Sequence, residues 1–253
     1  MFRPIYPPRT RAKEYSDLAI NCCCGCNHKC QYCYARQMFS RFHLNENFED
    51  VKYKKDIVEA TKIQLSSGNY KGKKILLCFF CDPYPAEIDT FITREIMMAI
   101  KEAEAYFSIL TKGGSRAIRD FDLYKPGDSF GSTLTFTSTD DSRKWEPNAA
   151  IPMSRVGALN YAHKLGIKTW VSMEPVIDPE QTLELIDVTH GYVDLYKVGK
   201  LNTDNCRGSE YYEELKKIEQ SIDWKTFGER AEALLKRYGK EYYIKEDLRR
   251  CMK

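Results

Sequence analysis

Short apolar runs alternate with longer stretches of helical periodicity along most of the chain. The clearest run is Lys73–Phe80 (KKILLCFF), continuous rather than alternating, as expected of a strand buried on both faces. A shorter run, Leu18-Ala19-Ile20, precedes it, and further strands are predicted at 106–111 (YFSILT), 132–138 (STLTFTS), 168–173 (KTWVSM) and 192–198 (YVDLYKV). Between them, helical spacing recurs. Residues 56–65 place Ile57, Val58, Ile63 and Leu65 around polar positions, and residues 90–105 put Ile92, Ile96, Met97 and Ile100 on one side. Two more helices are predicted at 152–165 and 179–188, where Pro152 and Pro179 suit a first helical turn.

Six strands alternating with helices predict an α/β fold with a parallel sheet and right-handed crossovers, hence a barrel or partial barrel. A flavodoxin-like or Rossmann sheet would alternate in the same way, but no G-x-G-x-x-G follows the first strand. Three segments are expected: an N-terminal arm over 1–15, a core over 16–209, and a C-terminal helical extension over 210–253. The arm is set by Pro4, Pro7 and Pro8, which sustain neither a helix nor a central strand. Amphipathic helices on or beside the barrel are expected in the highly charged extension.

Composition adds limits. The chain has 253 residues, enough for one large core, and 39 basic against 36 acidic side chains, a balance too even to argue for nucleic acid on charge alone. No apolar run approaches the roughly 20 residues of a membrane span, and the first residues carry no apolar core like that of a signal peptide. A soluble, cytoplasmic protein without a membrane partner is the expectation. Ten cysteines in such a chain point to metal ligands or reactive thiols rather than disulfides, and six of them fall within twelve positions, Cys22 to Cys33.

Within NCCCGCNHKCQYCYAR, Cys26, Cys30 and Cys33 have the spacing C-x3-C-x2-C. Three thiolates on a four-iron cubane leave one iron open for an exchangeable ligand. The alternative is a structural zinc site, which closes with four Cys/His ligands, the fourth being His28 or one of Cys22, Cys23 and Cys24. Those last three otherwise read as small loop or strand-end residues, with a second metal site as the other reading. Further segments follow in order: CDPYPAEID after the second strand, TREI opening the next helix, LTKGG after the third strand, Arg119-Asp120, and TDD with WEP after the fourth.

With Tyr32 in the aromatic position of C-x3-C-x-aromatic-C, this ordered set resembles the radical S-adenosylmethionine (SAM) superfamily, and within it the spore photoproduct lyase-like branch. The resemblance covers roughly residues 22–179. It implies a TIM-like (β/α)6 partial barrel, a 4Fe-4S cluster on Cys26, Cys30 and Cys33, and SAM lying across the C-terminal strand ends. Active sites of barrels lie at those ends in general. Reductive cleavage of SAM to a 5′-deoxyadenosyl radical is the implied chemistry, fed by an external one-electron reductant of flavodoxin or ferredoxin type. The implied substrate is a nucleic acid, such as a DNA lesion opened by carbon–carbon bond chemistry, although a shared fold does not carry a substrate with it.

The resemblance also points to site residues, each with an ordinary alternative. The backbone at Tyr32 would face the adenine, where the alternative for Tyr32 and Tyr34 is aromatic packing. Lys112 would neutralise the SAM carboxylate or simply be solvated. Of Thr137 and Ser138, alternation lets only one face the lumen, and Ser138 is preferred. Glu174 would contact cofactor or substrate or form a surface ion pair, with Asp82 and Glu87 in a similar position; Tyr196 and Lys197 would line the substrate side or cover the mouth. Cys81 would donate a hydrogen atom to a substrate radical or, like Cys78, pack in the core. Two rival classes stand beside this reading. One is a zinc-binding nucleic-acid or protein interaction module, and the other a ferredoxin-like carrier, disfavoured because carriers use four cysteines per cluster.

Overall fold

The computed structural model describes residues 2–42 and 46–253; Met1 at the start of the expected arm and residues 43–45 within the expected core lie outside the described residues. The strands are β1 (Ile5–Tyr6), β2 (Ala19–Ile20), β3 (Cys23–Cys24), β4 (Lys52–Tyr53), β5 (Lys74–Leu77), β6 (Tyr106–Thr111), β7 (Ser129–Thr133), β8 (Lys168–Met173), β9 (Leu195–Val198) and β10 (Glu241–Ile244). The helices are α1 (Tyr34–Phe42), α2 (Ile57–Leu65), α3 (Phe91–Glu102), α4 (Thr139–Trp145), α5 (Pro152–Lys164), α6 (Pro179–Thr189), α7 (Tyr212–Ser221), α8 (Trp224–Arg237) and α9 (Glu246–Cys251).

All six expected strands form, as β2, β5, β6, β7, β8 and β9, paired in parallel in that order. The α/β partial barrel is therefore the fold. The sheet continues at both edges, with β1 antiparallel to β2 and β10 parallel to β9, and among the described residues it does not close. The strand β10 was not expected in the C-terminal extension, because its Glu-Tyr-Tyr-Ile sequence sits in a charged stretch of helical character. The remainder of that extension is helical, as expected.

Three strand boundaries differ from the apolar pattern for local reasons. The second run stops at Leu77, because the amides of Phe79 and Phe80 donate to Asn21 Oδ1, at 2.9 and 3.0 Å, instead of to a neighbouring strand. The fourth strand is β7 rather than 132–138, since Ser129 and Gly131 hide its start and Thr137 N bonds to the Gln181 side chain after its end. The sixth begins at Leu195, because the amides of Tyr192 and Val193 are still bound to Thr189 O at the end of α6. Helix starts behave as read: Pro152 and Pro179 open α5 and α6, and Asp178 caps α6 by accepting from the amides of Glu180 and Gln181.

Alternation along the strands divides the core in two. The larger part lies beneath the helices and includes Ile75, Leu77, Phe107, Phe130, Val171, Tyr196 and Val198. The smaller part fills the concave face, where Ala19, Leu76 and Trp170 pack with Tyr6, Tyr15, Phe79, Leu110 and Leu195. Gly131 makes room for Trp170: a Cβ there would lie 2.3 Å from Trp170 Cε2. Gly131→Ala should therefore destabilise the protein by about 1–3 kcal/mol through overpacking. Gly157→Ala, in open space within α5, should instead stabilise it by about 0.5–1 kcal/mol. Urea unfolding of the two variants checks both signs.

The N-terminal arm runs from one sheet edge to the other. From β1 it passes through a 3-10 helix, Thr10–Glu14, whose Arg11 pairs with Asp247 at 2.7 Å. Glu14 Oε1 accepts from Tyr243 OH at 3.1 Å and from the Glu246 amide at 2.9 Å, while Lys197 Nζ donates to the carbonyls of Glu14 and Tyr15. Among the described residues no helix is long and apolar enough to cross a membrane.

Candidate active site

The loop between β3 and α1 carries Cys26, Cys30 and Cys33, and it is tied down on several sides. Gly25 starts it at φ +80°, where a Cβ would meet Phe48 O at 2.6 Å, and the Cys26 amide donates to that same carbonyl at 2.8 Å. Asn27 grips Ala86 twice, donating to its carbonyl at 2.7 Å and accepting from its amide at 3.0 Å. The Gln31 amide reaches Trp145 O, and the Asn148 amide reaches His28 O. The loop is thus fastened both to the turn after β5 and to the turn after α4.

His28 is the central peg. Burial drives its imidazole down to about 4, helped by the charges of Arg116, Lys112 and Arg155 and resisted by Asp82. A neutral ring accepts at Nε2 from the Arg116 guanidinium, 2.8 Å away, which leaves its proton on Nδ1, 3.5 Å from Asp82 Oδ2. Both nitrogens are engaged. His28 thus has no ring nitrogen without a protein partner.

Asp82, directly after Cys81, organises the next strand end. Its carboxylate accepts from the amides of Tyr84 and Lys112, both at 2.8 Å, and from Thr111 Oγ1 at 2.5 Å. This fixes Lys112 at the exit of β6, with its ammonium 5.5 Å from the centroid of the Tyr32 ring. Beneath Tyr32 lies a buried ion pair. Its phenol donates to Glu146, Glu146 Oε2 accepts from Arg155 Nη2 at 2.5 Å, and Arg155 also bonds the carbonyls of Ala150 and Thr133. Arg155 is 1% and Glu146 0% exposed at the side chain. Burial pushes the Glu146 carboxyl up, but the charges of Arg155 and Lys112 and the bonds from Arg155 and Tyr32 outweigh it and hold it below the usual range.

The three cysteines of the loop are free thiols, one buried and two half-buried. Burial pushes the Cys26 thiol well up, with Asp82, Cys30 and Cys33 adding to it, and raises Cys30 to about 12 despite the pull of Lys112. Thiols gathered in this way lose their protons when a cationic centre takes their place. A single tetrahedral ion with bonds of about 2.3 Å holds thiolates about 3.8 Å apart, whereas a cubane spreads its ligands over separate irons. Among the described residues, the group whose ligating atoms all lie within 4.8 Å of one another is Cys22, Cys23 and Cys81, not the loop triad. The sulfurs of Cys26, Cys30 and Cys33 are thus spread more widely than that group.

The remaining expected residues scatter. Glu174, at the exit of β8, accepts from Tyr15 OH at 2.8 Å and pairs with Lys245, so it joins arm, sheet and last strand. Lys197 faces the lumen side, 5.6 Å from the Trp170 ring, and burial with Lys245 nearby lowers it to about 8. Tyr196 points the other way and shares a hydrogen bond with Thr189 of α6, so it does not line a substrate. Ser138 is not at a strand end: its Oγ caps α4 by accepting from the Asp141 amide at 3.2 Å, because β7 ended five residues earlier. Thr137 is held by Gln181 and Glu184, Glu87 is exposed, and Tyr34 donates to Phe79 O. Cys81 is buried with Cys22 and Cys23 in the larger core.

Arg155, Lys245 and Tyr15 went unread in the sequence, since a lone basic residue in a helix or charged tail and a tyrosine in an arm look solvated. The capping role of Ser138 did leave a trace, in Ser-Thr-Asp-Asp ahead of a helix.

Comparisons with known proteins follow the same lines. The family model described as the Radical SAM superfamily matches residues 20–191. An uncharacterised protein of Methanocaldococcus jannaschii is 30% identical over 214 residues, 83% of this chain and 79% of its own length. An uncharacterised protein of the Acidianus two-tailed virus is 26% identical over 260 residues, covering 92% of this chain and 85% of its own. Among solved structures, a spore photoproduct lyase variant with bound AdoMet and dinucleoside spore photoproduct superposes with a TM-score of 0.67 at 12% identity, over 93% of this chain and 78% of the lyase. Streptococcus suis SuiB bound to S-adenosylmethionine gives 0.64 at 14% identity, over 89% of this chain, which spans about half of SuiB (49%). At such identities the structures speak for the fold; the family match covers most of the chain, and the protein belongs to the radical SAM superfamily.

Proposed function

We propose that this protein is a radical SAM enzyme holding a 4Fe-4S cluster on Cys26, Cys30 and Cys33, with SAM seated between that loop and the C-terminal strand ends. The observation that carries the reading is the loop itself, with three spaced thiols pinned by His28 and Asn27 to the strand exits and Lys112 beside them. When bound, the cluster supplies one electron to SAM, whose cleavage yields the 5′-deoxyadenosyl radical. The residues of this chain bind and orient. Asp82 holds the Lys112 backbone so that its ammonium can meet the SAM carboxylate, and the Tyr32 backbone offers the adenine an edge while its phenol is anchored to Glu146. Glu174, fixed by Tyr15 and Lys245, marks the substrate side opposite. Packing of Trp170, Leu76, Leu110 and Tyr15 fills the lumen below and keeps water from the reaction.

For the substrate, a nucleic-acid lesion is the specific proposal, supported by likeness to a lyase solved with a dinucleoside photoproduct. A flavodoxin- or ferredoxin-type reductant and a cytoplasmic setting complete it. The test is anaerobic reconstitution with iron and sulfide. Brown protein with about four irons per chain should release 5′-deoxyadenosine from SAM after dithionite reduction. A colourless protein that leaves SAM intact would overturn the enzyme assignment, whereas SAM cleavage without any change in ultraviolet-damaged DNA would overturn only the substrate.

A further inference from the structure

Four thiols outside the loop triad meet in one buried place. Cys22 and Cys23 follow β2, and Cys78 and Cys81 follow β5 as a C-x2-C pair. The register of the two strands, Ile20 beside Leu77, brings the pairs together. Cys22 Sγ lies 3.4 Å from Cys78 Sγ and 4.0 Å from Cys23 Sγ, and the sulfurs of Cys22, Cys23 and Cys81 are all within 4.8 Å of one another. Their exposures are 0%, 1%, 5% and 9% for Cys22, Cys23, Cys78 and Cys81. Beyond one another, the hydrogen-bond partners of these sulfurs are a hydroxyl and a carbonyl at long range: Thr93 Oγ1 at 3.8 Å from Cys22 and Asp82 O at 3.9 Å from Cys23.

Core filling alone does not account for this. A buried cysteine acting as a small apolar residue packs against carbon, whereas here each sulfur has another sulfur as a neighbour. A tetrahedral ion with bonds of about 2.3 Å holds thiolates about 3.8 Å apart; the sulfurs of Cys22, Cys23 and Cys81 lie within 4.8 Å of one another, and Cys78 stands 3.4 Å from Cys22 at the edge of that group, so ligation by all four needs only its side chain to turn inward.

We infer that Cys22, Cys23, Cys78 and Cys81 form a closed tetrathiolate site for one zinc ion, separate from Cys26, Cys30 and Cys33. Four thiols each lose a proton to solvent, four Zn–S bonds form, and no electron is transferred. The ion staples the entry of the cysteine loop to the exit of β5, the two segments between which His28 and Asp82 also bridge. A zinc-bound Cys81 thiolate has no S–H bond to give, so this site takes Cys81 out of hydrogen donation.

The test separates the two metal sites. In the variant Cys26→Ala/Cys30→Ala/Cys33→Ala, elemental analysis should find about one zinc per chain, and cobalt(II) in its place should give the charge-transfer and visible bands of a tetrahedral tetrathiolate centre. Adding Cys81→Ser or Cys78→Ser to that variant should weaken cobalt binding at least about 10-fold, ligand loss costing no less than loss of an outer partner. Should either serine variant fail to fold, alkylation mapped by peptide mass provides the readout. Zinc should protect Cys22, Cys23, Cys78 and Cys81 in the triple variant while Cys24 and Cys251 react. Absence of zinc, a cobalt spectrum indifferent to Cys81→Ser, protection of other thiols, or a Cys22–Cys78 disulfide in anaerobically prepared protein would each overturn the site. Failure here leaves SAM cleavage untouched, so the two readings fall separately.

Discussion

Cys30→Ala is expected to leave the reconstituted protein without its brown absorbance and to lower 5′-deoxyadenosine formation by more than about 100-fold. Loss of an outer partner of a metal ligand already costs about 10–100-fold, and here the ligand itself goes. Cys30 is the buried member of the triad, and the charge of Lys112 acts on its thiol. The loop should keep its shape, since Asn27, His28 and Gln31 hold it through contacts that do not involve the thiol. Iron content, SAM cleavage and circular dichroism measured together distinguish loss of the cluster from loss of the fold. Cys24→Ala, beside the loop but outside the triad, is the matched control. A Cys30→Ala protein that retained full iron and activity would refute the ligand assignment.

Arg155→Met is expected to be the most destabilising single change, by about 3–5 kcal/mol, because it strands the Glu146 carboxylate in the interior. The double variant Glu146→Gln/Arg155→Met should recover much of that loss, since it removes the orphaned charge with its partner. The pH dependence has a definite sign. In the native protein the Glu146 carboxyl sits below its ordinary value of 4.5, so the pair contributes fully above that value and its contribution fades as pH falls through the lower folded value. Without Arg155, burial dominates and raises the carboxyl, so acidification should relieve part of the defect. Urea midpoints at about pH 7 and about pH 4 measure both effects. A cost below about 1 kcal/mol at neutral pH would mean that the pair is not what holds Tyr32 and the turn after α4 in place.

The strands on which both results depend were legible where apolar residues ran without interruption. The runs 106–111 and 168–173 became β6 and β8 without change, because Tyr106–Thr111 and Lys168–Met173 pair on both sides in the middle of the sheet. Edges were less legible: the Tyr-Tyr-Ile of β10 favours a strand, but a run of four residues in a charged stretch gives no signal until β9 offers it an edge to pair with. The motif segments were visible as a set, but their roles were not. TREI and Arg119-Asp120 meet as an ion pair, Arg94 to Asp120 at 3.0 Å with Tyr84 OH on the same carboxylate, which braces α3 against the 3-10 helix Gly114–Leu123. WEP supplies Glu146, whose partner Arg155 lies in a helix where nothing in the apolar spacing singles it out. The placing of Cys26, Cys30 and Cys33 on one loop was legible from their spacing; the meeting of Cys22 and Cys23 with Cys78 and Cys81 was not, since it depends on the register of β2 against β5.

The arm that spans the sheet edges also sets an order in time. The cysteine loop precedes most of the sheet in the order of synthesis, yet the seam holding the arm is made with Tyr243, Lys245, Glu246 and Asp247. Contacts between positions more than 200 apart, such as Arg11 with Asp247, form only after the intervening strands and helices have been made. Throughout synthesis, then, the thiols of the nascent chain face the surrounding medium with one wall missing. Residues 243–247 act as a closing door, and a metal centre of the kind proposed would have the whole interval before that door shuts in which to be delivered.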